Sequence, residues 1–311
     1  MIDPVEALMK TSTILPTIPS TKITATASAT AFPTVIPDPP VYEKATAAGF
    51  RTLWVVFVVM VLSSVAFAAM AWTIPLSRRL FHTITTLITV IAAISYFGMA
   101  TGHGVNYQHI HHVEHHKHVP NTHKEIFRQV FWARYVDWCL TTPLLLLDLF
   151  FLAGASGGHI IMAIAADIIM VLTGLFAAYG STHNAQRWGW YAIACIAFLV
   201  VIWHLVVNGG ANARARSANL GKFYGAISAY TILIWVVYPI IWGVADGARL
   251  LSVNQEIIAY AVLDILAKPV FGAWLLLTHS RMADAGFELG GFWTFGLHSE
   301  GRLRLEEDEG A

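Results

Sequence analysis

The sequence predicts an all-α membrane protein built as a bundle of seven transmembrane helices. Three observations carry this. Hydrophobic residues make up 56% of the 311 and charged residues only 12%, about half the roughly 25% of a soluble domain. Mean hydropathy is +0.60. The apolar residues gather in seven runs, each near the ~20 residues that cross a bilayer as a helix. Length alone, at about 150 residues per domain, would allow two soluble domains, and the composition excludes them. Nineteen basic residues balance nineteen acidic ones, so no net field points to nucleic acid as a partner. Cys139 and Cys195 both sit inside apolar runs, which excludes a disulfide scaffold and a cysteine-based zinc module.

Residues 1–50 are rich in Thr, Ser, Pro and Ala, as at Thr11-Ser12-Thr13 and Pro37-Asp38-Pro39-Pro40. With no helical apolar period they are expected to form a mostly disordered tail. No basic stretch precedes an apolar one there, so no cleavable signal is expected and the first span serves for insertion. The seven-helix domain, 51–280, has spans near 52–74, 80–101, 131–152, 159–179, 188–207, 223–245 and 256–279. Runs this long must be helices, because lipid offers no partner to free backbone groups. Connections are short except the second, about 103–130, which is long and rich in histidine. Residues 281–311 form a polar tail ending in Glu306-Glu307-Asp308-Glu309. Loop basic residues divide evenly between the two sides, so the positive-inside rule is balanced. The compact Arg78-Arg79 pair tips it toward a cytoplasmic first loop and an extracellular N-terminus, in a plasma membrane.

Six charged groups lie well inside the spans: Arg134, Asp137, Asp148, Asp167, Asp264 and Lys268. Such groups are costly in hydrocarbon and are functional by default. At 3.6 residues per turn, Arg134, Asp137, Thr141, Leu145 and Asp148 share one face of the third span, and Glu256, Tyr260, Asp264 and Lys268 one face of the seventh. Two cations, Arg134 and Lys268, and two anions, Asp137 and Asp264, are expected to pack as a neutral cluster. Asp148 and Asp167 have no cation in sight, and burial favours their protonated forms. A lone lysine on an apolar span beside carboxylates suits Schiff-base chemistry with an aldehyde. Trp235, Tyr238 and Trp242 share a face of span six, Trp138 follows Asp137, and Tyr96 sits in span two, so aromatics for a long flat ligand are at hand.

Ala133-Arg134-Tyr135-Val136-Asp137-Trp138, with Thr141-Thr142-Pro143-Leu144-Leu145-Leu146-Leu147-Asp148, resembles the third helix of the microbial (type 1) rhodopsins. Leu263-Asp264-Ile265-Leu266-Ala267-Lys268 resembles their seventh, and Trp235-Val236-Val237-Tyr238-Pro239-Ile240-Ile241-Trp242 their sixth. The likeness covers roughly 50–280, and the long polar N-terminal tail and extended second loop make it most similar to the fungal branch of light-driven proton pumps.

That resemblance implies all-trans retinal, bound in the bundle core as a protonated Schiff base on Lys268. It implies Asp137 as counterion and proton acceptor, and Asp264 as second counterion bonded by Tyr96 and Tyr238. Arg134 would gate the outward path and Asp148 would be the donor, with Thr141 bonding Asp137 and Thr85 bonding Asp148. Asp246 and Glu256 would be the proton-release pair. Trp138, Thr142, Met170, Gly174, Trp235, Tyr238 and Trp242 would line the retinal, with Asp167 near its ring end and Leu145 at a colour-setting position. The chain departs from the family pattern in Asp246, which is one carbon shorter than the usual Glu and one residue nearer Trp242. It departs again in Pro269, directly after the Schiff-base lysine, where a missing amide donor can kink the helix.

The histidine-rich loop belongs to no motif of that family. His111, His112, His115 and His116 include the i, i+4 spacing that grips Zn²⁺ or Cu²⁺ on a helix, though a solvated polar loop is expected and no metal is assigned. The expected function is a light-driven outward proton pump, a photoreceptor and ion transporter rather than an enzyme. Its partners are protons and membrane lipid, with homo-oligomerisation left open. The alternative is a retinal photosensor signalling through a partner, and the carboxyl at Asp148 counts against it. A hormone-type seven-helix receptor fails for want of an Asp/Glu-Arg-Tyr end to span three and an extracellular cysteine pair.

Overall fold

The computed structural model describes residues 39–75, 79–115, 117, 121–179 and 184–279. Seven helical spans long and apolar enough to cross a membrane run through them. The first four are α1 (Ala47–Trp72), α2 (Leu80–Ala100), α3 (Trp132–Ala153) and α4 (Gly157–Tyr179). The fifth joins α5 (Asn184–Trp203) to α6 (Gly210–Arg216) through a π-helical turn, His204–Gly209, and so runs well past the expected end at 207. The sixth is α7 (Ala218–Trp242) with a π turn at Gly243–Gly247. The seventh is α8 (Val253–Ile265), a π turn at Leu266–Val270 and α9 (Phe271–His279).

The bundle turns large apolar side chains outward and buries its charged groups within an apolar core. Leu62 and Leu233 are 63% and 68% exposed, whereas Asp148 and Asp264 are fully buried. That arrangement suits lipid outside and a proton-handling interior. Pro269 falls in the third π turn, where the wider ring tolerates a missing amide donor, and the hydroxyl of Tyr230 donates to the carbonyl of Leu266 in the same turn at 2.9 Å. Lys268 is thereby carried on an irregular turn pinned to the sixth span.

Two expectations about the connections are corrected. The second loop is not an irregular polar loop. It is an antiparallel hairpin of β2 (Asn106–Glu114) and β3 (Thr122–Val130), paired from Asn106↔Val130 to Glu114↔Thr122. The described part of the N-terminal segment is not disordered either. β1 (Val41–Glu43) adds to β3 in parallel, Val41 opposite Ile126, and Ala47–Phe50 already belong to α1. Backbone pairing outweighs composition here, and side chains reinforce it. Phe127 stacks between Tyr42 and His109, at 5.1 and 4.5 Å. Ala45 N donates to Gln129 Oε1 at 2.7 Å, and Thr46 N to Asn254 Oδ1 at 2.9 Å. Residues 1–38 and 280–311 lie outside the described residues.

Candidate functional site

Lys268 Nζ lies 2.6 Å from Asp137 Oδ2 and 3.1 Å from Asp264 Oδ1, with all three residues almost fully buried. The i, i+4 step on the seventh span brings Asp264 beneath the lysine, and α3 supplies Asp137. Asp264 is further held by Tyr96 Oη at 2.6 Å, Tyr238 Oη at 2.7 Å and Trp138 Nε1 at 3.2 Å. Three donors and an ammonium satisfy a buried anion well. Asp137 is less tied down, since its Oδ1 bonds no described protein group. Thr141 does not bond the Asp137 side chain as expected. Its hydroxyl donates to the main-chain oxygen of Asp137 at 2.8 Å, the nearest acceptor one helical turn back. One carboxylate is therefore fixed and the other has an oxygen to spare.

The expected neutral quartet divides. Arg134 pairs with Glu256 rather than with Asp137, Nη1 to Oε1 at 2.8 Å, and lies over the Tyr260 ring at 4.3 Å. Arg128 of β3, outside the spans, takes the other oxygen of Glu256 at 2.9 Å. Arg128 also binds Glu43 of β1 at 2.9 Å and approaches Asp246 at 3.7 Å, although it is only 2% exposed. Burial opposes its charge, but Glu256, Asp246 and Glu43 outweigh that and hold its proton more tightly than usual. Nearby, Arg249 sits in the left-handed region at φ 56°. Burial, then the charges of Arg187 and Arg128, push its guanidinium down to about 10, still a cation at neutral pH. Asp246 and Glu256 thus occupy one cluster, and a chain of arginines runs through it.

At the other end of α3, eleven residues or about 16 Å from Asp137, Asp148 is fully buried with Thr85 Oγ1 3.3 Å from its Oδ2. A threonine hydroxyl has one proton. Thr85 gives its own to the carbonyl of Phe81 at 2.6 Å, so the contact is a good hydrogen bond only when Asp148 is the protonated donor. Asp167 repeats the pattern. Thr142 Oγ1 lies 2.6 Å from Asp167 Oδ2 and also 2.6 Å from the carbonyl of Trp138. Neither carboxyl forms an ion pair among the described residues.

Between these ends lies a cavity bounded by α3, α4, α5, α7, α8 and the π turn that carries Lys268. Trp138, Thr142, Leu145, Met170, Gly174, Trp235, Tyr238, Trp242 and Lys268 all face it. Tyr96, expected in the pocket, does not line it and acts through Asp264 instead. Tyr135, Tyr191, Cys195 and Phe198 line it and were missed. Tyr191 stacks on Trp242 at 4.9 Å, and the Trp242 indole donates to Tyr135 Oη at 2.9 Å. An almost wholly apolar cavity, with one primary amine on its wall beside two carboxylates, fits an apolar aldehyde such as retinal.

Of the histidines weighed for metal, His111 and His112 lie in a strand, where an i, i+4 pair does not converge, and His115 follows its end. His116 lies outside the described residues. Among the described residues no group of three potential ligands is placed to hold a metal.

A family model described as bacteriorhodopsin-like protein matches residues 50–282. Opsin-1 of Neurospora crassa is 51% identical over 292 residues, 94% of this chain and 96% of that protein. A crystal structure described as a light-driven proton pump from Leptosphaeria maculans is 60% identical, with a TM-score of 0.77 over 79% of this chain and all of that one. Another, the light-driven proton pump of Coccomyxa subellipsoidea, is 38% identical with a TM-score of 0.68 over 77% of this chain.

Proposed function

The chain belongs to the bacteriorhodopsin-like family, seven-span membrane proteins that bind retinal as a Schiff base, and from that premise we propose that it is an outward light-driven proton pump. Lys268 carries the retinal, Asp137 accepts the proton and Asp148 returns one. One observation carries the reading: buried carboxyls lie on both sides of Lys268 along a single face of α3, Asp137 touching Nζ and Asp148 about 16 Å away. The Leptosphaeria neighbour, described as a proton pump, supports it.

Retinal held on Lys268 within this cavity would supply light absorption and a light-driven isomerisation. The remaining work falls to the chain. Asp264, held by Tyr96, Tyr238 and Trp138, stays an anion throughout. Asp137, whose second oxygen is free of protein partners, takes the proton from Nζ. Arg134, anchored to Glu256, stands between Asp137 and the outer arginine–carboxylate cluster through which the proton leaves. Asp148 keeps its proton by burial until it restores the one lost from Nζ. The N-terminus is extracellular and the membrane is the plasma membrane in this reading, with lipid and protons as partners.

The test is the pH of an unbuffered suspension of expressing cells supplied with retinal. Illumination should acidify the medium, and a protonophore should abolish the change. No light-driven acidification would sink the pump reading and favour a sensor.

A further inference from the structure

At the start of the second span sits a histidine to which neither the family motifs nor the mechanism above gives a part. His82 is only 1% exposed, and no described protein group hydrogen-bonds either of its ring nitrogens. Buried polar atoms are almost always satisfied, so a ring left without a protein partner calls for a reason. Its position supplies one. His82 lies three residues, about 4.5 Å along the axis, before Thr85, which touches Asp148. Both face inward on α2. Beside it is His279, the last residue of α9, whose ring packs at 4.6 Å on Phe81, the residue before His82. His279 is half-buried at the end of the span. A file of proton-handling groups therefore runs from the surface inward: His279, His82, Thr85 and Asp148.

We propose that His82 is the relay through which Asp148 is refilled from the cytoplasmic side. The inference rests on the reading of Asp148 as donor. Neutral imidazole has an acceptor on one ring nitrogen and a donor on the other. A proton arriving from the His279 side binds one nitrogen as the other releases its own toward Asp148, so His82 ends each transfer neutral. No direct contact joins His82 to the carboxylate, and ordered water bridges such a gap at little cost. The titratable groups that meet His82 are His279 from the seventh span and, past Thr85, Asp148 from the third. Arg79, at the head of its own helix, is engaged with the carbonyls of Ile74 and Trp72.

Time-resolved infrared spectroscopy of the retinal-loaded full chain in lipid tests this, with the Asp148 carboxyl band assigned by its loss in Asp148→Asn. In His82→Gln the band should vanish after the flash as fast as in the unmutated chain. Its return should slow by at least about tenfold at pH 8, become steeply dependent on pH, and be restored by imidazole in the bath. His82→Phe, which keeps an aromatic ring in place, should behave alike, and His279→Gln should slow the return by a smaller factor. Return at the unmutated rate in both His82 variants overturns the relay while leaving Asp148 as donor. An Asp148 band that never vanishes in the unmutated chain overturns the donor reading itself.

Discussion

Arg128 Nη2 donates to Glu256 Oε2 at 2.9 Å, so a residue of the hairpin holds the oxygen of Glu256 that Arg134 leaves free. A guanidinium occupies each oxygen of Glu256, so neither oxygen is free to share a proton with Asp246. The cluster is then a poor store of a proton ready for release. A flash should therefore be followed by proton uptake before release, read with a pH-indicating dye in the bath. Arg128→Gln unties one oxygen and should move release earlier. Removing one member of a buried ionic cluster should also cost about 3–5 kcal/mol of stability. Release ahead of uptake in the unmutated chain, unaltered in the variant, would contradict this account.

The sequence made the bundle legible because length and hydropathy decide a span without help from packing. It also gave the inner site. Lys268, Asp137 and Asp264 are close because two helical periodicities bring them to facing stripes. Arg134 was assigned to the wrong partner because charges were balanced only within spans, and Arg128, which shares Glu256 with it, reaches in from a loop. That loop hid its fold for a physical reason. β2 and β3 do not alternate apolar with polar residues, since Arg128 and Gln129 are buried by ion pairs and hydrogen bonds rather than by apolarity. Three residues, Val41 to Glu43, carry no readable period at all. Tyr191 and Cys195 were missed because an aromatic or a cysteine on α5 looks the same in sequence whether it meets the cavity or a neighbouring helix.

Among the described residues Lys268 is the one lysine buried at the cavity wall. Lys268→Ala should leave a folded protein that gains no visible absorption when retinal is added. Helical content by circular dichroism separates loss of the linkage from loss of the fold. A visible band of normal intensity would put the linkage elsewhere.

Asp137 contributes the shorter of the two contacts to Lys268 Nζ, 2.6 against 3.1 Å. Asp137→Asn removes an anion that stabilises positive charge at that nitrogen more in the ground state than in the excited state. Absorption should shift to the red, and light-driven acidification should cease. Asp264→Asn should be the more destabilising change, because three donors then face a neutral amide. A variant at 137 that still acidifies the medium at the unmutated rate would exclude Asp137 as acceptor.

The contact between Thr85 and Asp148 yields a prediction about timing. Thr85 spends its single proton on Phe81, so Asp148 must donate across the 3.3 Å gap, and it can do so only while protonated. Asp148→Asn keeps a donor for Thr85 and nearly the same volume, so the dark state should be little changed in colour or stability. The reservoir, however, is gone. Proton return to the Lys268 nitrogen must then come from bulk water, whose proton concentration falls tenfold per pH unit. Dark-state recovery after a flash should therefore slow strongly and lengthen with rising pH between 5 and 8, while the unmutated chain stays nearly flat. Azide in the bath should shorten it by carrying protons inward. Thr85→Val should act oppositely on the carboxyl, removing its acceptor and easing proton loss, so donation should quicken with little pH dependence. Equal recovery in the unmutated chain and Asp148→Asn across that range would remove Asp148 from the pathway, and the relay through His82 with it.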